Sequence, residues 1–157
     1  MYDSVLHAIM DGDVNEVASA IDNDNRVLNA TDRMGRTLLM EAAIFKHYEI
    51  CKMLISKGAD VNAKEKARHW TALHFAAQEY DPRITAVLLE NGAEVDPQDT
   101  YGNTPLSEAV FNSRGRGEVI ELLLENGADR NIKNKSGVSP LDLARMIDNF
   151  NVKQFFE

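Results

Sequence analysis

A hydroxyl residue followed by a short apolar run recurs at Ser4, Thr37, Thr71, Thr104 and Ser139, at intervals of 33, 34, 33 and 35 residues. A second anchor, Gly58-Ala59, Gly92-Ala93 and Gly127-Ala128, keeps nearly the same period, at 34 and 35. Two anchors in phase constrain the chain more than any composition does. A period in this range is the mark of a stack of like supersecondary units, each burying its apolar face only against its neighbours.

The best copy of the unit shows how it folds. Thr71 is placed to cap a first helix over Ala72-Leu73-His74-Phe75-Ala76-Ala77. Asp81 caps a second helix with Pro82 at its first position, and Gly92 ends it as a left-handed residue. On this pattern the chain is one domain, 1–157. It divides into a first, degenerate cap repeat at 1–30, full repeats at 31–64, 65–98 and 99–131, and a last cap repeat at 132–157. Asn25 stands where later units place the closing glycine, and is expected to take the left-handed conformation. Helices of about eight to ten residues are marginal alone in water. Stacking must hold them, with roughly 1.5–3 kcal/mol from each fully buried Leu or Ile. Ala42, Ala43, Ala76, Ala77, Ala109 and Ala144 let successive first helices approach closely. The segments from Val61, Val95 and Ile132 are expected as extended turns.

Thr71-Ala72-Leu73-His74-Phe75-Ala76-Ala77, Tyr101-Gly102-Asn103-Thr104-Pro105-Leu106, Gly58-Ala59-Asp60-Val61-Asn62-Ala63 and Gly127-Ala128-Asp129 together resemble the ankyrin repeat. The resemblance covers essentially the whole chain and implies an all-α, right-handed solenoid of helix-turn-helix units joined by hairpin loops. It also departs from the family pattern. Met40, Ser107 and Asp142 replace the signature histidine, which is kept at His74 and His7. One residue is added before Thr71, and the turn Asn112-Ser113-Arg114-Gly115-Arg116-Gly117 is two residues longer than its counterpart in the second unit.

The chain of 157 residues carries a net charge of −8, which argues against nucleic acid as partner and favours a basic one. Summed by unit the charge runs −5, +2, −3, −3 and +1, so a basic partner would be steered to the amino-terminal unit and the third and fourth units. The lone Cys51 forms no internal disulfide and reads as a small buried hydrophobe. With no signal-type start, lipidation motif or membrane-length apolar run, the expected setting is soluble and cytoplasmic, free of membrane, and the free protein a monomer. His7, His47, His69 and His74 lack metal-ligand spacing. Gly115-Arg116-Gly117 lacks the strand and Lys-Ser/Thr of a phosphate loop and reads as a flexible turn. Glu118, Glu121 and Glu125 form a solvated helix face. No catalytic, cofactor or metal site assembles, and the chain is expected to be no enzyme.

What the resemblance does imply is a binding face. In ankyrin repeats the concave side is lined by hairpin tips and the exposed side of the first helices. Carried over residue by residue, that face holds Arg33, Met34, Arg36, Ile44 and Phe45 in the second unit. The third contributes Arg68, His69, Trp70, Gln78 and Glu79, and the fourth Tyr101, Asn103, Phe111 and Asn112. Trp, Tyr, Phe, Met and Arg are the residue types enriched at interface centres. The expected function is non-catalytic binding of a cognate protein, in its sharper form an inhibitor or immunity-type protein that neutralises one partner. An adaptor bridging two proteins is the alternative. On this reading Trp70→Ala would weaken binding with little loss of stability, and the Arg68-His69-Trp70 tip would be the first point of contact.

Overall fold

The computed structural model describes all residues 1–157. It contains nine α-helices, no strand, and one isolated bridge between Thr31 and Thr37. Helices α1 (Tyr2–Asp11) and α2 (Val14–Asn23) form the first pair, α3 (Leu38–Ile44) and α4 (Tyr48–Ser56) the second, and α5 (Ala72–Gln78) and α6 (Pro82–Glu90) the third. Then come α7 (Pro105–Asn112) with α8 (Glu118–Glu125), and α9 (Pro140–Met146) with a 3-10 turn, Val152–Phe156.

Two rows result. First helices pack successively as α1, α3, α5, α7 and α9, and second helices as α2, α4, α6 and α8. The core between them is a single cluster. Leu38, Leu39, Ile50, Leu54, Leu73, Ile84, Leu88, Leu106, Ile120 and Leu123 are fully buried in it, with Ala42, Ala43, Ala76, Ala77 and Ala109 at the close approaches. Thr37, Thr104 and Ser139 cap their helices through the N–H groups of Met40, Ser107 and Asp142. Asp81 does the same for α6 through Arg83 and Ile84. Cys51 is buried; burial, with Asp81 nearby, pushes its thiol up to about 12.

The first unit corrects one expectation. Asn25 is not left-handed. It opens a 3-10 turn, Asn25–Val27, because the extended residue Asp24 ends α2 and its carboxylate binds the N–H and guanidinium of Arg26. The left-handed residue of this unit is Gly12, between the two helices.

Side-chain amides tie one unit to the next along the loops that follow the second helices. Asn29 Oδ1 accepts from the Asp60 N–H, and Asn62 Oδ1 from that of Glu94. Asn62 Nδ2 also donates to the Gly92 carbonyl at 3.0 Å. Asp96 stands next in the series. Its Oδ2 accepts from Asp129 N–H, but Oδ1 is buried without a partner. Burial raises its carboxyl above the ordinary range. An amide at this position would supply the missing donor. Asp96→Asn is therefore expected to stabilise the fold by about 1 kcal/mol at neutral pH, read as an increased urea midpoint; an unchanged or lower midpoint would count against this account of the loop.

Candidate functional site

Four hairpin tips precede the capped first helices, and each is organised by one side chain. Asp32 Oδ1 accepts the N–H groups of Met34 and Arg36, Asp99 Oδ1 those of Tyr101 and Asn103, and Asn134 Oδ1 those of Ser136 and Val138. The third tip is one residue longer and uses Glu65 instead. Its Oε2 accepts from Ala67 (2.7 Å), and its Oε1 from Arg68 (2.6 Å) and Trp70 (3.2 Å). Gly35, Gly102 and Gly137 supply the left-handed residue of the shorter tips, while in the longer one His69 takes that conformation at φ 60°.

Neighbouring tips are joined through the main chain. Lys66 N–H donates to the Met34 carbonyl, Thr100 N–H to Arg68, and Lys135 N–H to Tyr101, at 2.8, 2.9 and 2.9 Å. This ladder aligns equivalent residues. Met34, Arg68, Tyr101 and Ser136 form one column, and Arg33, Lys66, Thr100 and Lys135 another.

Trp70 corrects the expected interface. It is 3% exposed, stacked on His74 and edge-on to Phe75, with its Nε1–H donated to Asp99 Oδ2 at 3.0 Å. The Arg68 guanidinium covers the ring at 3.7 Å. The inserted residue turns Trp70 inward, where it joins the third tip to the fourth. His74 belongs to the same joint. Its Nδ1 accepts the Thr71 N–H, which leaves Nε2 to donate to the Asn103 carbonyl. Burial holds its pKa near 4, so the ring is neutral.

The remaining expected contact residues divide by environment. Arg33, Met34, Phe45, His69, Tyr101 and Phe111 are exposed, the last two at 63% and 71%. Ile44, Gln78 and Glu79 are half-buried. Arg36 is held by Glu41 at 3.7 Å and lies over Phe75. Asn103 is bound to Asn134 Nδ2, and Asn112 to the Glu108 carbonyl of its own helix. His7 serves its own helix, through the Asp3 carbonyl, and His47 reaches the Met10 carbonyl of the preceding unit. The Gly115-Arg116-Gly117 turn is held from both sides. Tyr80 Oη donates to the Arg116 carbonyl, and the rings of Phe150 and Phe155 lie where side chains on Gly115 and Gly117 would collide.

Charge is segregated by face, which the sum by unit conceals. Arg33, Lys64, Lys66, Lys133 and Lys135 are exposed in the tip segments, whereas Asp32, Glu65 and Asp99 point inward as loop caps. The second helices carry the exposed acids Glu16, Asp22, Glu49, Glu90, Glu118, Glu121 and Glu125 against the exposed cations Lys52 and Arg83. Further exposed acids lie at Asp3 and Asp11 of α1 and at Asp60, Glu94 and Asp129 in the loops after the second helices. The surface that would attract a basic partner is thus the second-helix face, not the tips.

Two residues outside the contact set expected from the repeat pattern also belong here. Glu41 and Glu108 occupy the position four after the capping threonine, which is apolar in the other units (Ala8, Phe75, Leu143). An acid at an apolar place in the repeat was the available signal. Glu108 lies with Asn103, Ser107, Phe111, Asn134 and Leu143 around a cleft of about 330 Å³. Burial, reinforced by Asp99 and opposed by Arg68, pushes its pKa up to about 7.

Stacked helix pairs with bonded hairpin tips define a repeat-built binding module. The chain belongs to the ankyrin-repeat family: the model for ankyrin repeats (3 copies) matches residues 2–65 and 62–134. It is similar to the E3 ubiquitin-protein ligase Ufd4 of Drosophila melanogaster, with 34% identity over 85% of this chain and 5% of that protein. The E3 ubiquitin-protein ligase KEG of Arabidopsis thaliana is 30% identical over 76% of this chain and 8% of its own length. The putative ankyrin repeat protein FPV031 of Fowlpox virus (strain NVSL) is 34% identical over 78% of this chain and 37% of its own. The chain thus spans well under two thirds of each of these relatives. As a member of this family it is a protein–protein interaction module, and no helix is long and apolar enough to cross a membrane.

Proposed function

We propose that the tip and first-helix face binds one cognate protein and that occupying that protein's surface neutralises it, as an inhibitor does. The observation that carries this reading is the pairing of exposed Met34, Phe45, Tyr101 and Phe111 with the exposed cations Arg33, Lys66 and Lys135 on one face. Large apolar groups ringed by polar ones are the anatomy of an interface. At physiological salt the screening length is about 8 Å. Local tip charge therefore governs contact despite the net charge of −8, and the partner segment that meets the tips carries carboxylates. A basic partner would instead dock on the second helices.

The experiment is capture of partners from the native host on the immobilised chain, followed by affinity measurements. Tyr101→Ala and Phe111→Ala are each expected to weaken binding by about 2 kcal/mol with little change in thermal midpoint, both rings being exposed. Lys66→Glu with Lys135→Glu should slow association. Unchanged affinity in both ring variants would overturn the reading. Inhibitor and adaptor separate by stoichiometry: an inhibitor holds one partner and suppresses its activity, whereas an adaptor holds two different proteins at once.

A further inference from the structure

We propose that the cleft at Glu108 is a subsite for an arginine side chain of the partner, an inference that rests on the tip and first-helix face being the binding surface. The molecule already contains the arrangement in question. In the second unit the Arg36 guanidinium lies 3.7 Å from the Glu41 carboxylate and 5.7 Å from the centre of the Phe75 ring, which the next unit provides. The equivalent three positions two units further on are Asn103, Glu108 and Leu143. The carboxylate and the apolar wall are kept, and the cation is replaced by an asparagine.

Asn103 does not substitute for that cation. Its amide oxygen accepts from Asn134 Nδ2 at 2.9 Å, and its carbonyl accepts from His74. The four ion pairs of the chain join Arg26 to Asp24, Arg36 to Glu41, Lys52 to Glu49 and Lys57 to Asp22, and leave Glu108 without one. The charged groups acting on Glu108 are Asp99, which makes ionisation harder, and Arg68, which eases it and lies against the Trp70 ring. From α5 comes His74, held neutral; α9 presents Leu143 to the cleft, and Asp142 is bound to Ser139 in its own cap. A guanidinium entering from solvent would meet the carboxylate and the Ser107 hydroxyl. Its methylene stem would lie along Phe111 and Leu143, as long cationic side chains do on apolar surface. The charge of such a cation also offsets the burial that keeps the carboxylate from ionising.

The test uses N-acetyl-arginine amide as probe and N-acetyl-citrulline amide as its uncharged isostere, followed by carboxyl and amide NMR of the whole chain. The Glu108 carboxyl should titrate near 7 when free, and its apparent pKa should fall when the arginine probe is added but not with the citrulline one. Because the charged form is the one that binds, affinity for the arginine probe should be about tenfold weaker at pH 6 than at pH 8. Glu108→Gln should abolish both the binding and its pH dependence while the amide spectrum stays folded. An equal response to citrulline, or binding that survives Glu108→Gln, overturns the subsite. So does a captured partner whose affinity is unchanged by that substitution. If instead arginine binds as described but Tyr101→Ala and Lys66→Glu leave capture of the partner untouched, it is the wider reading of the face that falls.

Discussion

Trp70→Ala is expected to lower the stability of the folded chain by about 4 kcal/mol. The ring is buried, packs on His74 and Phe75, and donates its only N–H to Asp99. Truncation removes the contacts, opens a cavity between the third and fourth tips and takes a donor from a buried carboxylate. In a stacked array such a loss falls on the junction between two units. Urea unfolding should therefore show a lower midpoint and, if the two halves separate, a shallower slope. Trp70 is the only tryptophan of the chain, so the emission of the unaltered protein, with Trp70→Phe as the blank, gives a second measure of the burial. A loss below about 1 kcal/mol, the range of surface substitutions, would place the ring at the surface instead.

That expectation reverses the one drawn from sequence, and the reason is geometric. Anchors such as Thr37, Thr71 and Thr104 locate each helix start, because a capping hydroxyl and an apolar run act through neighbours a few residues away. The same local rules make the helix pairs, the small-residue row and the buried position of Cys51 legible. They do not trace a loop. The position before the capping threonine holds Arg36, Trp70, Asn103 and Val138 in the four tips, and counting alone assigns all four to one surface. With Ala67 added between Lys66 and Arg68, the path to Trp70 differs and the ring turns into the stack. Charge fails for a related reason: summing along the chain adds inward-facing Asp32, Glu65 and Asp99 to the outward lysines beside them, although only the lysines face solvent. Glu108 was legible in principle. Acids at Glu41 and Glu108, in a column otherwise held by Ala8, Phe75 and Leu143, need an explanation, whereas the absence of a cation beside Glu108 requires the fold.

Glu65→Ala is expected to cost about 3 kcal/mol, a large effect for a loop position. Its carboxylate is the sole organiser of the longest tip and accepts three N–H groups, from Ala67, Arg68 and Trp70. Hydrogen bonds to an ionised group contribute about 1.5–3 kcal/mol each, and the more exposed donors among these regain water when it is lost. The Trp70 N–H is buried and does not. Burial alone would raise the Glu65 carboxyl, but the three N–H bonds and Arg68 outweigh it and hold the pKa below the ordinary range. Its folded pKa is thus lower than its unfolded one. The contribution is present at neutral pH and is lost as pH falls from the unfolded value through the folded one, so Glu65→Gln should differ least from the unaltered chain in acid. The more telling variant concerns length. Tips of the shorter kind use Asp32, Asp99 or Asn134, and the tip with one more residue uses a side chain with one more methylene. Glu65→Asp alone should cost about 1–2 kcal/mol, because the shorter acid reaches fewer of the three donors. Combined with deletion of Ala67 it meets a loop of ordinary length, and the two changes should be strongly non-additive. Thermal or urea unfolding of the two single variants and the double one decides this. A double variant whose loss equals the sum of the two single losses would show that loop length and acid length are independent, whereas recovery of most of the Glu65→Asp loss would show that the inserted residue and the longer acid form one structural unit.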